Sequence, residues 1–185
     1  MTVNQAPRVK AALPRRLHHN AFVVQDQERT RAFYEDILGL PLRATWIEVS
    51  GNLQGESYCH SFYGLADGSA LAFFTFANAD VQRSVYGGGV PKNLYHHIAL
   101  NVDSEAQSAI RARCVAAGVK SRDIDHGYCQ SLYVTDPDGL IVEFTVDPPE
   151  ADAINAWQDR TARQTLDAWQ SGDRHPNNDW RRHAG

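Results

Sequence analysis

Cysteine and methionine are scarce in this 185-residue chain, at three and one. Cys59, Cys114 and Cys129 form no CxxC pair and are odd in number, which suits reduced thiols in a cytoplasm and not a disulfide framework. An excess of positive charge is also missing. Lys plus Arg total 18 against 22 Asp plus Glu, a net charge of -4, so there is no electrostatic footprint for nucleic acid or an anionic membrane. The pairs Arg15-Arg16 and Arg181-Arg182 are too short to alter that and read as solvated surface. No apolar run approaches the about 18–20 residues of a membrane span, and Met1 to Pro14 lacks the apolar core of a signal peptide. What remains is an ordinary globular composition, 43% hydrophobic and 22% charged. It is enough for one domain or two small halves sharing a core. The expectation is a cytoplasmic enzyme or small-molecule-binding protein, with no nucleic-acid or membrane partner.

What is present is repetition. Leu17-His18-His19-Asn20-Ala21-Phe22 returns as Tyr95-His96-His97-Ile98-Ala99-Leu100. Each copy runs into a helix-starting stretch, capped by Asp26 and closed at Gly39 in the first, capped by Ser104 and closed at Gly118 in the second. Ser57 to Tyr63 then matches Gly127 to Tyr133, a turn follows at Asp67-Gly68 and at Asp138-Gly139, and the runs Ala70 to Phe76 and Leu140 to Val146 are rich in strand formers. Four matched features in one order mark a duplication. Each unit reads β-α-β-β-β, with first strands near 17–25 and 95–103, helices near 27–38 and 104–117, and middle strands near 42–49 and 119–124. The fold class is α+β: two tandem βαβββ modules forming a cupped mixed sheet, followed by a helical extension. The expected division is a disordered N-terminus over 1–14, module 1 over 15–78, a flexible Gly-rich linker over 79–93, module 2 over 94–148 and a C-terminal helical tail over 149–185.

Strand alternation selects one histidine of each pair. His96, Ile98, Leu100 and Val102 share an apolar face, which leaves His97 with Ala99 and Asn101 on the cavity side. The same split in the first unit sets His19 on the cavity side. In the last strand Glu143 stands opposite Leu140, Val142, Phe144 and Val146. A lone carboxylate in so apolar a strand must be compensated. A divalent metal shared by His19, His97 and Glu143 would do so and leave coordination positions open for a substrate. Hydrogen-bonded cavity histidines, with Glu143 paired to a lysine or arginine, are the plainer alternative.

The motifs Leu17 to Phe22, Phe33-Tyr34-Glu35-Asp36-Ile37-Leu38-Gly39-Leu40, His96 to Leu100 and Tyr133 to Phe144 together resemble the vicinal oxygen chelate superfamily. That family includes glyoxalase I, extradiol ring-cleaving dioxygenases, fosfomycin-resistance enzymes and bleomycin-binding proteins. The resemblance spans about residues 16–147 and implies paired βαβββ modules around a metal on His19, His97 and Glu143, in a homodimer. Whether the modules pair within a chain or across subunits stays open.

Glyoxalase-like members carry a fourth protein ligand on the last strand of the first module, where this chain has Ala72 or Phe73; neither binds a metal. Three ligands match extradiol dioxygenases and fosfomycin thiol transferases. Tyr133, ten residues before Glu143, and His126 in the preceding loop match positions that handle protons in the former. His60, Phe73 and Tyr128 are candidate substrate contacts, with Trp46 and Phe74 extending an aromatic wall. No basic cluster for a phosphonate is evident, since Lys92, Arg83 and Arg122 are scattered. The expectation is therefore an Fe(II) extradiol-type dioxygenase opening a catechol-like ring with O2. The alternatives are a non-oxidative thiol transferase, lyase or isomerase using Mn(II), Zn(II) or Ni(II), and a metal-free sequestering protein.

Overall fold

The computed structural model describes residues 13–53, 55–90 and 93–181. The stretch expected to be disordered lies outside these, apart from Leu13 and Pro14, which are exposed. The first module opens with a short strand, β1 (Phe22–Val23). Asp26 then caps the helix as expected: its backbone is extended and its Oδ1 accepts from Arg29 N–H at 2.8 Å. The helix is α over Gln27–Arg31 (α1) and widens to a π-helical turn over Ala32–Ile37, where Leu38 N–H bonds the Phe33 carbonyl at 3.0 Å. The wider turn lets the adjacent Phe33 and Tyr34 bury together with Leu38. Three antiparallel strands follow: β2 (Leu42–Ser50), β3 (Glu56–Gly64) and β4 (Ala70–Phe76).

The second module repeats this with β5 (His97–Asn101), α3 (Ser104–Ala116), β6 (Ser121–Asp125), β7 (Gln130–Thr135) and β8 (Ile141–Val146). Its cap lies one residue earlier than expected. Asp103, not Ser104, accepts from Ala106 N–H at 2.7 Å, because a carboxylate is the stronger acceptor beside a helix N-terminus. The sheet orders are β1-β4-β3-β2 and β5-β8-β7-β6. The first strand of each runs parallel to the last and the others pair antiparallel. The duplicated α+β architecture read from the sequence is thus present, with a long helix, α4 (Ala151–Gln170), in the C-terminal extension.

The segment expected as a flexible linker contains a helix, α2 (Ala79–Tyr86). Asn78 caps it by accepting from the N–H groups of Asp80 and Val81. Gln82 ties it to the sheet, accepting from Phe76 N–H and donating to the Val24 carbonyl, both at 2.8 Å. Its local sequence is too polar to show a buried stripe. Tertiary hydrogen bonds, not an apolar face, hold it in place.

The core lies on the helix side of both sheets and is shared between modules: Phe33, Tyr34, Leu38, Tyr63 and Phe73 join Ile110, Leu132, Val142 and Phe144 in one cluster. Buried polar contacts fix the modules' relative position. Tyr34 donates to Asp136 Oδ2 at 3.0 Å, and Arg113 donates to the carbonyls of Ile37 and Leu38 at 2.7 and 2.9 Å. Burial pushes the Asp136 carboxyl above the usual carboxylate range, against the hydrogen bonds that favour its charge. Tyr34→Phe leaves Oδ2 without that donor and is expected to cost about 1–3 kcal/mol in urea unfolding. A loss below about 0.5 kcal/mol would mean that water replaces the phenol.

Candidate metal centre

Register builds the second module's half of the site. Across the sheet Glu143 pairs with Tyr133 on β7 and Ala99 on β5. His97 lies two residues before Ala99, so it shares Glu143's face. The His97 Nδ1 meets the Leu94 carbonyl at 2.9 Å. A carbonyl only accepts, so Nδ1 carries the proton and a neutral His97 presents the Nε2 lone pair. That Nε2 lies 3.0 Å from Glu143 Oε2. Two acceptors so close require a proton or a cation between them.

The remaining carboxylate oxygen belongs to a hydrogen-bonded chain. Tyr133 donates to Glu143 Oε1 at 2.8 Å, and His126 Nε2 lies 2.9 Å from the Tyr133 oxygen. With the phenol proton directed at Glu143, His126 is the donor to the phenol oxygen. Burial first, then the Glu143 carboxylate, pushes the Tyr133 hydroxyl well above the ordinary tyrosine range, so it remains a donor at neutral pH. Glu143 is only 4% exposed, and its ion-pair partners among the described residues are His97 and His126. Among the described residues no lysine or arginine pairs with it. Two imidazoles and a phenol around a buried carboxylate fit a divalent ion held by His97 Nε2 and Glu143 Oε2.

The first module contributes a separate group. His19 bridges to Ala70 as His97 pairs with Ile141. Its ring packs edge-on against His60 and Phe62, with centroids 5.8 and 5.4 Å away, and its Nδ1 lies 2.7 Å from His18 Nδ1. His60 stacks on Phe74 at 3.7 Å and keeps Nε2 buried without a hydrogen-bond partner. Two residues beyond Ile141 comes Glu143; two beyond Ala70 comes Ala72. The duplicated position is therefore Ala72, which is fully buried and carries no ligand atom.

Phe73, expected to touch substrate, does not face the cavity. It is fully buried on the helix side against Tyr34 and Tyr63, and Phe74 takes the place beside His60. A strand reverses face at each residue, so a one-residue uncertainty inverts the assignment. Tyr128 is half exposed, with its ring stacked on His126 at 5.7 Å.

His97, Glu143, Tyr133, His126 and Tyr128 thus gather on one module, and His19 and His60 on the other. Among the described residues no three His, Cys, Asp or Glu side chains stand close enough to hold one metal. A single chain keeps the three expected ligands as a pair and a lone histidine. One contact had no signal in the sequence: Asn178 of the tail donates to the His126 carbonyl at 2.9 Å, joining residues with no shared periodicity.

The family model described as Glyoxalase/Bleomycin resistance protein/Dioxygenase superfamily matches residues 16–144. A lactoylglutathione lyase of Salmonella typhimurium is 32% identical over 132 residues, covering 69% of this chain and 90% of that protein. Its Haemophilus influenzae counterpart is 30% identical, over 68% and 88%. Among solved structures, a mutant of the fosfomycin resistance protein FosX of Listeria monocytogenes, complexed with Mn(II) and 1S,2S-dihydroxypropylphosphonic acid, superposes with a TM-score of 0.53 at 22% identity, over 75% of this chain and 95% of that one. A glyoxylase/bleomycin resistance protein/dioxygenase domain from Frankia reaches 0.57 at 13% identity, over 74% and 100%. The two structural likenesses show the fold. The family match over residues 16–144, together with the curated relatives, shows that the chain belongs to the glyoxalase/bleomycin resistance protein/dioxygenase superfamily.

Proposed function

We propose that the protein is a non-oxidative, divalent-metal enzyme of lyase, isomerase or transferase type, acting on a substrate that offers adjacent oxygens. The observation that carries this reading is the close approach of His97 Nε2 and Glu143 Oε2 beside the Tyr133–His126 chain. The curated relatives reported above are named as lactoylglutathione lyases, which favours this alternative over Fe(II)-dependent ring cleavage with dioxygen. Mn(II), Zn(II) or Ni(II) is the expected ion.

His97 and Glu143 would hold it, and His19 would complete the set from a second copy of the chain, because the two groups lie apart within one chain. Ile47 and Val49, which share one face of the edge strand β2, are 81% and 66% exposed, and Trp46 on its other face is 58% exposed, an apolar edge of the kind a second copy covers. A bound divalent ion supplies Lewis-acid polarisation of the substrate oxygens. The residues supply the rest. Leu94 fixes the His97 tautomer, Tyr133 offers a proton beside the chelated oxygens, and His126 exchanges it with the surroundings.

Metal analysis of protein purified without chelator tests the reading. It should be paired with assays on the methylglyoxal–glutathione hemithioacetal and on fosfomycin with a thiol. Oxygen uptake with catechols would overturn it. Tyr133→Phe is expected to lower kcat about 100-fold with metal content unchanged, measured at saturating substrate. Full kcat in that variant would reduce Tyr133 to a strut for Glu143.

A further inference from the structure

Module 2 fixes the tautomer of its candidate ligand with the main chain, and a turn makes this possible. Asn93 accepts from Tyr95 N–H through its side chain and from His96 N–H through its carbonyl, both at 2.9 Å, a turn of the kind asparagine favours. That turn aims the Leu94 carbonyl at His97 Nδ1. In the first copy of the repeat, Arg15 and Arg16 occupy the places of Asn93 and Leu94. An arginine side chain has no acceptor with which to close such a turn, and among the described residues none forms there.

A side chain takes the place of that carbonyl. His18 Nδ1 lies 2.7 Å from His19 Nδ1, with the two rings edge-on and their centroids 5.0 Å apart. Alternation along a strand would turn His18 away from its neighbour. However, β1 begins only at Phe22 and His19 makes an isolated bridge, so alternation does not govern this pair. Two ring nitrogens so close share one proton: one imidazole donates and the other accepts. His18 is exposed, so its Nε2 can carry its own proton into solvent. His19 is half-buried against His60 and Phe62, and its Nε2 has no hydrogen-bond partner among the described residues. A proton placed there would go unmet, whereas a proton on Nδ1 is met by His18.

We propose that His18 is a positioning residue for His19: it accepts the Nδ1 proton and so leaves the His19 Nε2 lone pair free for a divalent ion. It does for module 1 what the Leu94 carbonyl does for module 2. An imidazole that donates its second N–H to a placed acceptor is held in one tautomer and one orientation, and it becomes a more basic ligand. The use of Nε2 by a metal rests on the metal-centred reading; the direction of the His18–His19 hydrogen bond does not.

Two measurements test this. The first needs no metal: long-range nitrogen–proton NMR correlation of the full chain at about pH 8.5, above the ordinary imidazole range. His19 is expected as the Nδ1–H tautomer and His18 as the Nε2–H tautomer; finding His19 protonated on Nε2 would overturn the proposal. The second is competition for Zn(II) against a chromophoric chelator. His18→Leu, which removes the acceptor, should bind Zn(II) about 10- to 100-fold more weakly than the unsubstituted chain. His18→Asn puts an amide oxygen at the Nδ1 position and should stay within about threefold of it. Unchanged affinity in His18→Leu, or an Asn variant as weak as the Leu one, rules out the positioning role. Since His18 is exposed, both variants should keep the unfolding midpoint, which separates lost positioning from lost fold. If no form of the protein binds Zn(II), the metal-centred reading fails and the tautomers alone decide the role of His18, so the two failures are distinguishable.

Discussion

Glu143→Gln is expected to reduce bound metal from about one ion per chain toward none and to lower activity on the order of 10³-fold. The substitution keeps the shape and removes the charge. Its amide oxygen still accepts from Tyr133, so the bond now 2.8 Å long persists and the unfolding midpoint should hold. Two neutral imidazoles and an amide cannot offset a dication as a carboxylate does. Glu143 is 4% exposed with a histidine acceptor 3.0 Å away, so its charge is poorly compensated without a cation. Metal content by mass spectrometry and turnover under one buffer decide the matter. A variant that retains both would show that Glu143 serves the fold alone.

If the chain is a dimer, as proposed, a mixed dimer carrying His19→Ala in one subunit and Glu143→Gln in the other should recover about half the activity of the unsubstituted protein, although each variant alone is inactive. The arithmetic follows from where the ligands stand. If His19 completes the site of its partner, one site of the hybrid carries both defects and the other carries neither. If all three ligands came from one chain, both sites would be defective and nothing would return. Within the chain His19 lies among His18, His60 and Phe62, away from the His97–Glu143 pair. The crossed arrangement is therefore expected. Coexpression with two affinity tags and purification through both isolates the hybrid; turnover below a tenth of the natural enzyme would exclude a shared site.

The internal duplication carried most of the fold on its face. His19 and His97, Gly39 and Gly118, and Asp67-Gly68 and Asp138-Gly139 recur in one order, and each obeys a local rule: alternation along a strand, a left-handed glycine closing a helix, a tight turn. The same alternation places His97 and Glu143 on the cavity face of their strands, while the pairing of β5 and β7 with β8 brings them and Tyr133 together. The helix Ala79–Tyr86 was hidden because its restraint comes from Gln82 bonding to Phe76 and Val24, contacts absent from any local pattern. The choice between Phe73 and Phe74 turned on the one-residue register of β4 against β3, which pairs Phe74 with His60 and sends Phe73 into the core.

By itself, then, the sequence determined the two modules, the faces of the strands that carry His97 and Glu143 and the chemical types gathered on them, because these follow from periodicity within a few residues. The tertiary structure alone decided which groups meet. It joined Asn178 to His126 across the chain, fixed the His97 tautomer through Leu94, and held His19 apart from the carboxylate it was expected to join. Such meetings depend on how whole elements pack, where a rigid-body shift of a few ångströms makes or removes a hydrogen bond, and no local pattern encodes it.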